Sequence, residues 1–386
     1  MDWKIDSQFL FEREKLNFIK IWWLKIDKVI LGLVLFLILF GLLMNFTSSP
    51  FIAKRIEVPQ LFFFHKHVIF LCISLFLLIF FSCLKVSHIR LITTPLFFLI
   101  VLTLIATLIF GSEIKGSRRW LSLFGFTLQP SEFAKVIFVI FNALLLDRLS
   151  QTKFYVKYGI SGFFCLLLVL LLIKQPDFGM SFVIILLWSA QLFLCGLPWL
   201  AIFVIFLFGI CGIISSYMFL PHVKDRVNSF FDIGHDYQVN RSIDAYVNGG
   251  FFGTGPGNGL VKKHIPDSHS DFIFSVVVEE FGVVISSIFI LVFIYLITRV
   301  VKKNNIIKGH FAYLTVSGLI IQFSMQVIIN IAVSLAMLPT KGITLPFISY
   351  GGSSLLAMSM SFGIILAMTR KRFSNTLSDS DLLINK

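Results

Sequence analysis

The chain has 386 residues, of which 57% are hydrophobic and 14% are charged, and its formal net charge is +13. This apolar composition excludes a water-soluble globular domain, and the positive balance indicates contact with anionic lipid rather than with nucleic acid. The five cysteines show no CxxC spacing, so neither a disulfide framework nor a zinc site is indicated.

About ten apolar segments, each of roughly 17 to 25 residues, are long enough to cross about 30 Å of hydrocarbon. They are Val29 to Asn45, Val68 to Leu84, Leu91 to Phe110, Glu132 to Leu146, Tyr158 to Ile173, Phe178 to Cys195, Pro198 to Phe219, Phe272 to Thr298, Ala312 to Ser334 and Tyr350 to Met368. Because lipid offers the backbone no hydrogen-bond partner, these segments are predicted to be helices. The predicted fold class is an all-α polytopic membrane protein with a large extracytoplasmic loop between helices 7 and 8.

Basic residues predict the orientation. More than half of the 33 Lys and Arg residues become internal if the first helix runs from inside to outside, so both termini are predicted to be cytoplasmic. The predicted organisation is an amphipathic cytoplasmic N terminus (1–28), a transmembrane domain (29–370) with its large outer loop (220–271), and a cytoplasmic tail (371–386). Cations in the outer loops run against the bias, and they fit either anionic-lipid contact or a binding site. They are Lys115, Arg118, Arg119, Lys224, Arg226, Arg241, Lys262, Lys263 and Lys341.

The first outer motif is Gly116 to Trp120. Its adjacent arginines, Arg118 and Arg119, can hold phosphate oxygens in a bidentate manner, and Trp120 can anchor the loop at headgroup depth. The motif therefore indicates an anion-binding loop at the membrane surface.

A helix start follows at Gln129 to Glu132, where Ser131 or Glu132 can satisfy free amides. Glu132 and Lys135 are three residues apart on that helix and can pair within the membrane. The pair fits either an ion pair that holds two helices together or a catalytic role. A second turn, Lys174 to Gly179, places Asp177 where it can cap the next helix. We interpret this turn and its Asp177 as structural.

The large outer loop contains Arg241 and a glycine-rich run, Gly249 to Gly259, which Lys262 and Lys263 follow. Such a run lets backbone amides approach a ligand closely, but it lacks the spacing of a Walker loop. Four histidines in or near this loop match no ligand pattern, so no metal site is predicted. They are His222, His235, His264 and His269.

The loop ends in Pro266 to Asp271, at the lip of the next apolar segment. A carboxylate at this boundary is the first candidate for chemistry, although a helix-capping Asp is the alternative. Counting 100° per residue from Asp271, one of Glu279 and Glu280 can support it while the other contacts a neighbouring helix. A polar stripe in the ninth helix fits either helix packing or a substrate path. It comprises Gln322, Gln326, Asn330 and Ser334.

The last motif runs from Leu338 to Ser354, with two prolines, several glycines and a lone cation, Lys341. Such bent backbone is tolerated at membrane depth only where it is buried in protein or lines a cavity. Lys341 is therefore predicted to point a cation into that cavity.

Taken in order, these motifs resemble the SEDS family (shape, elongation, division, sporulation) over roughly residues 28 to 370, and the last one resembles its division members rather than its elongation members. Departures from the family pattern are Asp267, where Glu is usual, and Ser270 and Met180, where Thr is usual. The resemblance implies a ten-helix fold that polymerises lipid II into glycan strands outside the membrane. It also implies a class B penicillin-binding protein and other division membrane proteins as partners, at the septum of the bacterial inner membrane.

The residues fit that chemistry. Transfer of a sugar from undecaprenyl pyrophosphate to a 4-hydroxyl needs a base and cations for the leaving group, with a divalent ion, Mg²⁺ or Mn²⁺, as an optional addition. Asp271 corresponds to the family's proposed base. The candidate substrate-binding residues are Arg118, Arg119, Trp120, Glu132, Lys135, Arg241, Lys262, Lys263, His269, Lys341 and Ser353, and the candidate supporting residues are Asp177, Glu279 and Glu280.

Two other classes of function stay open. A lipid II flippase would need a headgroup path inside the bundle, which the polar stripe and Lys135 could supply. A scaffold that only recruits the transpeptidase does not need a carboxylate set among cations.

Overall fold

Each of the ten apolar segments of the sequence coincides with a helix. The computed structural model describes residues 18–114, 117–123, 125–219, 224, 228, 237–339 and 342–370. In this part of the chain the helices are α1 (Phe18–Lys25), α2 (Lys28–Arg55), α3 (Phe62–Cys83), α4 (Val86–Phe110), α5 (Pro130–Arg148), α6 (Phe154–Lys174), α7 (Phe178–Leu194), α8 (Trp199–Phe219), α9 (Tyr237–Gly249), α10 (Ile273–Asn304), α11 (His310–Ser334) and α12 (Gly352–Met368). A short 3₁₀ helix spans Val261–Lys263.

Length and hydropathy make this a multi-pass membrane protein. Within the described residues six helices are long and apolar enough to cross a membrane, namely α2, α3, α4, α6, α10 and α11, and α7 and α12 are shorter apolar helices. The number of crossings, the domain bounds and the side on which each terminus lies stay predictions. Residues 1–17 and the predicted tail, 371–386, lie outside the described part.

Three helices form the centre of the bundle. Nearly all side chains of α5 and α12 are buried, and most of those of α11 are buried too. By contrast, α3, α4 and α6 each bury only a minority of their apolar side chains. A helix that is buried all round belongs to the core, and one with an exposed apolar face suits lipid contact. Polar groups on α5, α11 and α12 therefore lie inside the protein.

A polar network joins the central helix α5 to α6 and α7. The Asn142 amide donates to Gln191 Oε1 at 3.0 Å, the Ser161 hydroxyl donates to Asn142 Oδ1 at 2.6 Å, and the Gln191 amide donates to the Val139 carbonyl at 2.9 Å. These bonds connect α5, α6 and α7 with satisfied partners, which is the usual role of amide side chains between membrane helices. The sequence analysis did not single out this network.

The motif region before α5 contains a small sheet that the sequence analysis did not predict. Strands β1 (Ser112–Ile114), β2 (Ser117–Leu123) and β3 (Phe126–Leu128) are antiparallel neighbours in that order. Gly125, with φ of +80°, lies in the turn between β2 and β3. Pairing of the strands satisfies backbone groups that an irregular loop would leave open beside the bundle.

The end of the bundle that carries residues 112–128, 249–271 and 342–350 is here called the motif end. Its parts are joined by hydrogen bonds, among them Gln129 N to Ser353 Oγ at 2.9 Å and Tyr350 N to His269 O at 2.7 Å. The topology predicted from the basic residues makes it the outer end. The large polar motifs therefore come together at one end of the bundle.

One glycine on α2 sets the distance between that helix and residues 342–350. A Cβ added to Gly41 would lie 2.2 Å from the Phe347 carbonyl oxygen, whereas one added to Gly32 on the same helix would meet nothing within 4 Å. We expect Gly41→Ala to lower stability by about 1 to 3 kcal/mol because the packed backbone must move. Thermal unfolding in detergent measures this effect, and Gly32→Ala is the matched control. Equal melting temperatures for the two variants would contradict the close approach.

Candidate active site

Asp271 lies two residues before α10, and its backbone is held by a side chain of α11, while the preceding residue is held by the segment that follows α11. Asn330, part of the predicted polar stripe, donates from Nδ2 to the Asp271 carbonyl at 2.8 Å and to the Ile343 carbonyl at 2.7 Å. Ser349 Oγ donates to the Ser270 carbonyl at 2.6 Å. These bonds fasten the segment 266–271 to the segment 342–350 beside the candidate base.

The Asp271 side chain is half-buried and faces Gly342. A Cβ added at Gly342 would lie 3.3 Å from Asp271 Oδ2, so a larger residue would crowd the carboxylate. Gly342 also has φ of +66°, a backbone conformation that glycine adopts without strain. Lys341, the predicted cation, immediately precedes Gly342 but lies outside the described residues. The bent segment is thus adjacent to the carboxylate, and the role of Lys341 stays a prediction.

Aromatic rings cover one side of the segment that carries Asp271. The His269 ring is 4.9 Å from the Tyr350 ring and 5.2 Å from the Phe63 ring, and His67 is 5.9 Å from Tyr350. Burial lowers the pKa of His269 to about 4, against a weaker opposing effect of Asp267. At neutral pH His269 is therefore an uncharged ring that packs against Tyr350 and Phe63.

The low pKa of His269 predicts a loss of stability in acid. Between pH 6.5, its ordinary pKa, and about 4, the unfolded chain binds a proton that the folded protein does not, so stability falls as pH is lowered through this window. We expect His269→Phe to flatten the decline in melting temperature between pH 7 and pH 5. The exposed His65, changed to Phe, is the control. An unchanged pH slope in His269→Phe would contradict the prediction.

The two glutamates of α10 do not follow the helical wheel counted from Asp271. Helix α10 begins at Ile273, two residues later, and Gly282 breaks its regular geometry with φ of +77°. Glu279 accepts hydrogen bonds from the amides of Val261 and Lys262 at 2.7 and 2.8 Å, and Glu280 pairs with the Lys262 ammonium. Both carboxylates therefore hold the backbone and side chain of the outer loop.

Burial separates the two adjacent lysines. The Lys262 side chain is 0% exposed, and besides Glu280 it contacts the Thr47 carbonyl at 3.1 Å. Lys263 is exposed, with its ammonium 5.0 Å from the centre of the Phe51 ring. The structure thus places Lys262 in the protein interior rather than on a substrate-facing surface.

A second polar cluster lies where β2 meets the start of α5 and α7. Arg119 donates to the carbonyls of Gln175 and Pro176 and approaches Asp177 Oδ1 at 3.8 Å. Asp177 occupies the N-cap position of α7, and burial raises its pKa while Arg119 opposes the rise. The guanidinium of Arg119 is thus already engaged by the turn that the sequence analysis interpreted as structural.

Glu132 and Lys135 form the predicted ion pair in the bundle interior. Lys135 Nζ is 3.0 Å from Glu132 Oε2, and the side chains are 0% and 5% exposed. Gln129 immediately precedes the first helical residue, Pro130, and its own side chain makes no capping bond to the helix. It donates instead from Nε2 to Ser131 Oγ at 3.0 Å, and capping by Ser131 or Glu132 stays a prediction.

Hydrogen bonds connect the two clusters. Ser353 Oγ accepts from the Gln129 amide, and Thr344 Oγ1, in the segment beside Asp271, donates to Ser354 Oγ at 2.7 Å. Ser353 is therefore a link between α12 and the start of α5. The sequence patterns did not indicate Gln129 and Thr344 as linking residues, although both lie within the motifs described above.

The remaining candidate cations are exposed at the motif end. Arg118 pairs weakly with Glu113 at 3.4 Å, and Arg241 pairs with Asp244 at 3.0 Å and covers the Tyr237 ring. Trp120 is half-buried. Arg226, His222 and His235 lie outside the described residues, as does Lys115. Across the part of the chain that the structure describes, no three His, Cys, Asp or Glu residues come together as a metal-binding group.

Fold and site together define a multi-pass membrane protein with a half-buried carboxylate and a polar motif cluster at one end of its helix bundle. The chain belongs to the cell cycle protein family of FtsW, RodA and SpoVE, which matches residues 27–373. This confirms the resemblance that the motifs indicated.

Similar proteins are bacterial. A relative from Caulobacter vibrioides named "Probable peptidoglycan glycosyltransferase FtsW" is 36% identical over 365 residues, which cover 94% of each chain. A relative of the same name from Coxiella burnetii is 33% identical and covers 88% of this chain and 95% of its own.

Solved structures share the fold. One, described as "Structural coordination of polymerization and crosslinking by a peptidoglycan synthase complex", has a TM-score of 0.77 at 26% identity and covers 90% of this chain and 98% of its own. The rod shape determining protein RodA of Thermus thermophilus has a TM-score of 0.68 at 26% identity, covering 90% and 97%.

Proposed function

We propose that this protein is a peptidoglycan glycosyltransferase that polymerises lipid II into glycan strands during septal wall synthesis. Its relatives named as peptidoglycan glycosyltransferases support the activity. The observation that carries the assignment to this site is the half-buried Asp271 carboxylate, held against Gly342 at the motif end. A membrane-anchored substrate presents its sugars at that boundary.

In the proposed reaction Asp271 removes the proton from the 4-hydroxyl of the acceptor sugar. The resulting oxygen attacks the anomeric carbon of the donor, the bond from that carbon to the pyrophosphate oxygen breaks, and undecaprenyl pyrophosphate leaves with its electron pair. Attack opposite the leaving group inverts the anomeric centre. One carboxylate suffices because pyrophosphate leaves without needing a proton.

Cations at the motif end offset the charge that develops on the pyrophosphate. Among the predicted binding residues we assign this role first to Lys341, whose neighbour Gly342 lies beside the Asp271 carboxylate, and to the exposed cations Arg118, Arg241 and Lys263. Trp120 is assigned to the membrane boundary. Internal partners engage the others, and we assign those residues to supporting the site. They are Arg119, Glu132, Lys135, Asp177, Lys262, His269, Glu279, Glu280 and Ser353.

The proposed setting is the bacterial division septum, with both termini in the cytoplasm. A class B penicillin-binding protein is the proposed partner, with other division membrane proteins nearby, and the solved synthase complex that couples polymerisation to crosslinking supports this. The loop 220–271 is the proposed contact because it leads directly to Asp271. Amide hydrogen exchange across residues 222–264, measured with and without the transpeptidase, tests this contact. Unchanged exchange together with faster turnover would place the contact elsewhere.

The test of the activity is glycan-strand formation from labelled lipid II by the purified chain, alone and with its class B transpeptidase. Strands long enough to resolve on a gel are expected in at least the second condition. Their absence in both, with a folded protein that binds lipid II, would refute the assignment.

One observation favours the alternative of a flippase. Gln322 and Gln326 are buried, and within the described part of the chain neither amide nitrogen nor amide oxygen of either has a hydrogen-bond partner. Unpaired buried amides are costly, and a polar headgroup passing through would satisfy them. Translocation of labelled lipid II across liposomes that hold the protein tests this alternative independently of polymerisation.

A further inference from the structure

The C-terminal part of the outer loop is fastened to α10 by three buried charges. Glu279 accepts from the amides of Val261 and Lys262 and from Asn248 Nδ2 at 2.9 Å. Glu280 pairs with the Lys262 ammonium, which also reaches the Thr47 carbonyl on α2. All three charged side chains are buried, and Glu280 Oε2 has no hydrogen-bond partner among the described residues.

The glycine-rich run makes this arrangement possible. A Cβ at Gly259 would lie 2.8 Å from Glu279 Oε2, and one at Gly253 would lie 2.3 Å from the Glu280 carbonyl oxygen. The amides of Thr254 and Gly255 donate to the carbonyls of Glu279 and Glu280, both at 2.9 Å. The run therefore packs directly on the helix, with no gap for a ligand at these two points.

The contacts of Lys262 with Glu279 and Glu280 also constrain the segment that leads from Lys262 to α10. Residues 263–272 lie between Lys262, which is bound to Glu279 and Glu280, and Ile273, where the same helix starts. Both ends of this segment are thus fixed on α10 about two turns apart. Asp271 lies within this closed segment, two residues before α10.

We propose that Lys262, Glu279 and Glu280 act as a clamp of positioning residues, which sets the place of the Asp271 carboxylate by closing the segment 263–272. This inference rests on the proposed function only for its effect on turnover. The clamp itself touches neither substrate nor reacting atoms. A displacement of about 1 Å at a base costs on the order of 100-fold in rate, so a small loosening is enough.

The test uses the full chain with its class B transpeptidase and labelled lipid II. Lys262→Met and Glu280→Gln each leave the opposite charge buried and unpaired, and the double variant Lys262→Met/Glu280→Met removes both charges. In each single variant we expect kcat to fall about 10-fold to 100-fold, with KM for lipid II changed by less than about twofold. Amides of residues 261–271 should exchange faster.

Lys54→Met is the matched control, because Lys54 is an exposed lysine at the same end of α2 as Thr47. It removes one positive charge there and should leave kcat and the exchange of 261–271 unchanged. The double variant separates positioning from stability. Recovery of the melting temperature with kcat still low supports the clamp, whereas recovery of both overturns it.

Amide exchange also separates this inference from the proposed function. It reports on the segment 263–272 whether or not the protein polymerises lipid II. Unchanged exchange in both single variants would refute the clamp even if polymerisation were lost. Faster exchange in a chain whose wild type makes no glycan would support the clamp and refute the proposed function.

Discussion

Asp271→Asn is expected to lower the rate of lipid II polymerisation by at least about 100-fold while the protein stays folded and inserted in the membrane. Asn keeps the shape of the side chain and removes its ability to accept a proton. The Asn330 side chain holds this segment through the backbone carbonyl of Asp271, which the substitution keeps. Stability should therefore be retained, and polymerisation of labelled lipid II in detergent measures the rate.

Asp244→Asn is the control for this change. Asp244 lies in the same outer loop, and its side chain is 51% exposed and paired with Arg241. This variant should polymerise at nearly the wild-type rate. Near-normal polymerisation by Asp271→Asn would remove Asp271 from the mechanism, and equal losses in both variants would point to a general effect of charge.

Lys135→Met is expected to have the largest effect on stability, about 3 to 5 kcal/mol, because it leaves Glu132 charged and unpaired inside the bundle. The pair lies 3.0 Å apart and is almost completely buried. The double variant Glu132→Gln/Lys135→Met removes both charges and should recover most of the loss. Melting temperatures in detergent measure both effects.

The exposed ion pair of Arg90 and Asp147 supplies the comparison. Its atoms are 2.7 Å apart, yet the Arg90 side chain is 44% exposed, so Arg90→Met should cost less than about 1 kcal/mol. A Lys135→Met variant as stable as Arg90→Met would show that the buried pair does not hold the helices together.

The same variants bear on the two classes of function. If Glu132 and Lys135 are structural, a stable double variant should polymerise lipid II at a rate close to that of the wild type. If they line a headgroup path, the stable double variant should lose translocation of lipid II across liposomes. Measuring both activities on one preparation distinguishes these outcomes.

Much of the architecture followed from the sequence because lipid imposes a simple rule. Apolar runs that enter a membrane must satisfy their backbone internally, so each of the ten segments was predictable as a helix. The pairing of Glu132 with Lys135 was also predictable, because residues three apart lie on one face of a helix. The ordered motifs were specific enough to indicate the family.

Local patterns misled where backbone geometry changes within a motif. The small sheet of β1, β2 and β3 was predicted as a loop, because β1 and β3 have only three residues each, too few to show alternation. The helical wheel from Asp271 was wrong because α10 starts at Ile273, so Asp271 lies outside the helix that carries Glu279 and Glu280. A wheel holds only within one continuous helix.

The sequence alone determined that this is a membrane-spanning bundle with its motifs gathered between particular helices, and it singled out Asp271 at the lip of one of them. Only the tertiary structure decided which of two adjacent lysines is a surface cation. Lys262 points toward Glu280 and Lys263 toward solvent. The physical reason is that burial depends on what the rest of the chain brings to a position, here α2 and α10, and two neighbours of identical chemistry carry no local signal of that difference.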